Sequence, residues 1–87
     1  METLSLELPT PDSFDEVLRE AQRAAEARAP EAMMLAWEDR GRDLVSPDVP
    51  ECTGDAPGWW AYAMNRGGNL VVDVNDGAYR FVFLIDS

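Results

Sequence analysis

From Thr3 to Leu8 the chain alternates, with Leu4, Leu6 and Leu8 on one side and Ser5 and Glu7 on the other. A period of two predicts a half-buried strand, closed by Pro9. The period then lengthens. Phe14, Val17, Leu18, Ala21, Ala24 and Ala25 recur at helical spacing on one side. Two starts fit this helix: Thr10 before Pro11, or Ser13 with Glu16 as a capping box. Asp12, Asp15 and Glu16 suit its positive end, Arg28 suits the other, and Pro30 stops it. Small alanines along the stripe let the helix lie close against a sheet.

Glu31 to Asp39 predicts a strand with Met33, Leu35 and Trp37 on one face. Gly41 marks a turn, and Asp43–Val45 a short second strand. Residues 46–58 hold three prolines and two glycines, which predicts a long loop. The last third predicts a three-stranded meander: Trp59–Met64, Asn69–Val74 and Ala78–Ile85. Asn65-Arg66-Gly67-Gly68 and Asn75-Asp76-Gly77 supply its turns. Asp73 to Gly77 also holds a fragment of a calcium-loop pattern, but its glycine arrives one residue early and no Glu follows, so the hairpin turn is preferred.

A two-residue turn at Asp76-Gly77 sets the register. Val74 then opposes Tyr79, Asp73 opposes Arg80, and Val72 opposes Phe81. One face collects Leu70, Val72, Val74, Tyr79, Phe81, Phe83 and Ile85, and the other carries an Asp73–Arg80 pair. The same parity places Trp59, Ala61 and Ala63 in the core. It places Trp60, Tyr62 and Met64 with Val71 and Val82 on the face that the single helix leaves open. Such a patch is covered by other parts of the chain, by a second copy, or by a foreign partner.

The expected fold is therefore α+β: an N-terminal strand, one amphipathic helix, then an antiparallel sheet ending in a three-stranded meander, with the helix on one sheet face. This element order resembles a cystatin-like arrangement, in order alone and with no shared motif. Residues 1–87 form one small domain.

Composition narrows the chemistry. Seven Arg, no Lys and seventeen acidic residues give a net charge of −10. Residues 1–55 hold fourteen Asp/Glu and five Arg, a net of −9, so the acidity belongs to the front half. That charge disfavours direct contact with nucleic acid or an anionic membrane and favours a basic partner. Without histidine, Ser-His and Cys-His catalysis have no base. Cys52 is the sole cysteine, and Glu51 and Asp55 beside it make a poor nucleophile. One unpaired cysteine and no signal sequence suggest a cytoplasmic protein.

Glu38, Asp39, Asp43, Asp48, Glu51 and Asp55 form a carboxylate-rich middle segment. Its spacing matches no cation site, and a solvated acidic surface is the simpler reading. The expected function is non-enzymatic, with no metal and no cofactor: a binding or regulatory protein that docks on a basic protein. Charge and size suggest an inhibitor, antitoxin, immunity or phage anti-defence type. Trp60, Tyr62, Met64, Asp43, Asp48, Glu51 and Asp55 are the expected partner-binding residues. Two alternatives stand beside it: a small-molecule- or metal-binding domain or enzyme subunit using loop 46–58, and a self-associating homodimer.

Overall fold

The computed structural model describes residues 1–51 and 54–86. Its elements in order are β1 (Glu2–Leu6), α1 (Phe14–Arg28), β2 (Met33–Asp39), β3 (Leu44–Ser46), α2 (Gly58–Asn65), β4 (Leu70–Val74) and β5 (Tyr79–Leu84). One five-stranded sheet runs β1-β4-β5-β2-β3. The α+β class is as expected. The sheet is mixed rather than purely antiparallel, because β1 lies parallel to β4.

The predicted first strand of the meander is a helix. Trp59–Met64 lies inside α2, and this second helix also departs from the cystatin-like order. The physical reason lies at its ends. Ala61 N–H donates to the Pro57 carbonyl, opening the first turn at a proline. At the far end Gly67 takes φ 88°. Gly67 N–H donates to Met64 O at 3.2 Å and Gly68 N–H to Ala63 O at 2.9 Å. This is a Schellman cap. Asn65 to Gly68 thus ends a helix instead of turning a hairpin.

α1 starts at the second of its two predicted positions, where the Ser13 hydroxyl accepts from Glu16 N–H at 3.2 Å. It buries Val17, Ala21 and Ala25 against Leu70, Val72, Val74, Phe81, Phe83 and Ile85. Leu4, Leu6 and Leu8 of the β1 segment pack at the margin of this first core. The β4–β5 register is the predicted one, with Val72 opposite Phe81 and Val74 opposite Tyr79.

Asp73 does stand opposite Arg80, but the two do not form the expected ion pair. Asp73 accepts from Gly77 N–H at 2.6 Å and so closes the turn. Arg80 instead pairs with Glu38 of β2 at 2.9 Å.

β2 breaks its predicted alternation. Its pairing with β5 shifts between Met34 and Ala36, a bulge that places two residues against one. Met34 and Trp37 therefore meet the first core, while Leu35 and Ala36 meet the other face. Met33 is left 57% exposed.

Two asparagines extend the ladders beyond the strands. The Asn69 side chain accepts from Ile85 N–H and donates to Ile85 O, both at 2.8 Å. Asn75 does the same to Leu8, at 2.7 and 3.0 Å. Each amide mimics one more peptide group in the sheet. Asn75 also sits at φ 54°, which Asn tolerates better than most residues. Asn75→Ala should cost about 2 kcal/mol, by leaving part-buried peptide groups unpaired and straining the backbone. Chemical denaturation measures this. Asn75→Gly relieves the strain and should recover only the backbone share.

Candidate functional site

The second sheet face was expected to carry an apolar patch, and α2 lies on it. Trp59 and Ala63, one helical turn apart, pack with Ala36, Val71 and Val82. Leu35, Val45, Trp60 and Met64 close the rim of this second core. Trp59 is 3% exposed. It is core, as the sequence suggested, but on the opposite face of the sheet from the one predicted.

Trp60 is half-buried and meets Trp59 edge-on, with ring centroids 5.7 Å apart and planes at 86°. The Arg80 guanidinium lies 5.2 Å from the Trp59 ring and 5.7 Å from the Trp60 ring. Helical spacing splits the predicted Trp60–Tyr62–Met64 row. Trp60 and Met64 rest on the core. Tyr62 points elsewhere and is stacked by the Arg66 guanidinium at 3.7 Å.

The segment from Pro47 to Pro57 joins β3 to α2, and Cys52 on it lies outside the described residues. Two contacts hold this segment against the helix. Glu51 Oε2 accepts from Asn65 Nδ2 at 2.9 Å and from Arg66 Nη1 at 3.2 Å. Gly58, the first residue of α2, lies directly under the Val49 carbonyl, with no room for a side chain.

The six middle carboxylates divide into two sets. Glu38 is paired with Arg80, Glu51 with Arg66, and Asp39, 4% exposed, with Arg42. Asp43, Asp48 and Asp55 are exposed. Asp48 and Asp55 flank the Glu51 contact along the joining segment. Asp43 stands apart, in the turn before β3 with φ 54°. Among the described residues, no group of three or more acidic side chains is placed to hold a metal ion. No described helix is long and apolar enough to cross a membrane.

The Glu51 carboxyl is held below its ordinary range, first by the Asn65 amide and then by Arg66. A depressed carboxyl favours the closed segment above the usual carboxylate range, and that contribution fades as pH falls through the lowered value. The site is exposed, so the effect is local. Protection factors of the Asp48, Val49 and Glu51 amides, corrected for the intrinsic pH dependence of exchange, should fall on acidification below the usual carboxylate range. Glu51→Gln should show the lowered protection already at neutral pH.

The sequence marked Asn65 and Arg66 only as turn residues and Gly58 and Val49 only as part of a loop, and gave none of them a role in a site. Arg66 stands four residues after Tyr62, a signal that carries meaning only once the segment is read as a helix.

A family model described as "Domain of unknown function (DUF5619)" matches residues 1–83. The chain belongs to the DUF5619 family. An Archaeoglobus fulgidus protein described as an uncharacterized protein is 31% identical over 86 residues, covering 99% of this chain and 89% of that protein. The crystal structure of AF1514 from the same organism superposes with a TM-score of 0.80 at 29% identity, covering 100% of this chain and 96% of that one. The DUF5619 match spans α2 and its joining segment, so the helix on the second sheet face lies within the family domain.

Proposed function

We propose that this DUF5619 protein is a non-enzymatic binding or regulatory protein that docks on a basic protein surface. The docking element is α2 with the segment that leads into it. Asp48 and Asp55 supply the charge, and Trp60 and Tyr62 the aromatic contact. Glu51 acts within the element, fixing the segment on the helix.

One observation carries this reading. Five of the seven arginines are held in ion pairs with acidic partners of the same chain, which leaves an acidic surplus at the surface. Beside that surplus Val49 and Glu51 are already held against α2, which lowers the ordering entropy that opposes binding. An acidic docking surface accelerates encounter with a basic partner and loses that advantage in salt. Inhibition of a nucleic-acid-binding protein is one form such docking takes.

The test is affinity capture from a lysate of the native host at low and high salt, with the partner identified by mass spectrometry. A basic partner should be retained at low salt, released at high salt, and lost with the Asp48→Asn/Asp55→Asn variant. Capture that ignores both salt and these substitutions would refute the reading.

A further inference from the structure

The two edges of the sheet differ. β3 is a three-residue edge, too short to template another strand. β1 is five residues long, without proline or bulge, and Asn75 prolongs its ladder to Leu8. Glu2 N–H donates to Asn69 O, and Leu6 O accepts from Asn75 N–H. In a parallel ladder alternate residues turn their peptide groups to the same side. Glu2, Leu4, Leu6 and Leu8 therefore face β4, and Thr3, Ser5 and Glu7 present theirs outward.

We propose that β1 is the interface of a two-fold dimer of this chain, formed by antiparallel pairing of β1 with β1 centred on Ser5. The occupant is argued from self-complementarity. Centring on Ser5 places Ser5 opposite Ser5 and Thr3 opposite Glu7 of the second copy. All of these are hydrogen-bonded positions, so every outward peptide group of the row is paired. No acidic residue meets another across the seam. Leu4 and Leu6, half-buried in the isolated chain, meet Leu6 and Leu4 of the second copy at the closer, non-hydrogen-bonded positions. The Glu2 carboxylate, opposite Leu8 of the second copy, is already held by Arg28 at 2.6 Å.

Two copies each at −10 repel, so the dimer should tighten as salt rises. Docking on a basic partner responds in the opposite sense, which separates this inference from the proposed function. Sedimentation equilibrium of the full chain should give twice the 9.7 kDa mass, with the dimer fraction rising with salt. Ser5→Pro removes an outward N–H that the fold does not use, and should yield a folded monomer.

A second readout covers the case in which Ser5→Pro fails to fold. In a Cys52→Ser background, Ser5→Cys should cross-link on mild oxidation, since hydrogen-bonded partners sit about 5.5 Å apart between Cα atoms. Thr3→Cys should not, because its two copies lie roughly 14 Å apart along the seam. A monomer at millimolar concentration in high salt overturns the proposal. So does a dimer that persists in folded Ser5→Pro, or equal cross-linking at both positions.

Discussion

Replacing Trp59 by alanine should destabilise the protein by about 3–5 kcal/mol, the range for truncating a buried tryptophan. Trp59 is the largest side chain of the second core. Among the described residues, the apolar side chains that pack with it are Ala36, Ala63, Val71 and Val82, with Leu35, Val45, Trp60 and Met64 at the rim. Small alanine neighbours cannot move in to fill the space. A domain of this size has a total stability of about 5–15 kcal/mol, so the loss takes a large share of it. The melting temperature should fall by at least roughly 12 °C. Trp60→Ala removes a half-buried ring and should cost nearer 1 kcal/mol. The pair answers why two tryptophans stand side by side: one fills a core and its neighbour lies half-buried at the rim of that core. Thermal melts of the two variants measure the contrast. Equal losses would mean that both rings are core.

Gly58→Ala should cost about 3 kcal/mol despite the better helix propensity of alanine. Propensity alone predicts a gain of about 1 kcal/mol at an ordinary helical position. Gly58 has no left-handed φ, so backbone strain does not arise there. The opposing effect is steric. A methyl group at Gly58 is driven into the Val49 carbonyl, which is backbone and cannot swing aside like a flexible side chain. Either the joining segment lifts from α2 or the helix start shifts. Denaturation reads the loss. Hydrogen exchange tells which part gives way, with faster exchange expected in residues 47–51 first. A stabilised variant would mean that the segment does not rest on the helix.

The fold was legible where one periodicity prevailed. β1 and α1 each carry a clean period, and Asp-Gly between alternating residues fixed the β4–β5 register correctly. Trp59 to Met64 misled because a six-residue run of aromatic and small apolar residues suits a strand as well as a helix. Its boundaries held the answer: Pro57 at the start and Gly67-Gly68 at the end are helix signals. The β2 bulge left no trace, since Met33 to Trp37 is apolar throughout and has no alternation to break. The parallel pairing of β1 with β4 joins residues about seventy apart, beyond any local pattern.

The candidate site was legible in its composition and not in its geometry. The acidity of the front half and the exposure of Asp48 and Asp55 follow from sequence. The Glu51–Arg66 contact and the packing of Val49 on Gly58 do not, since both depend on α2 being a helix. The same helix turns a predicted open apolar patch into a covered core with an aromatic margin.

The most direct test of the docking account is hydrogen–deuterium exchange of the protein with and without its captured basic partner. The account predicts that new protection is confined to residues 47–66, the joining segment and α2. Protection centred on α1, with residues 47–66 unchanged, would contradict it.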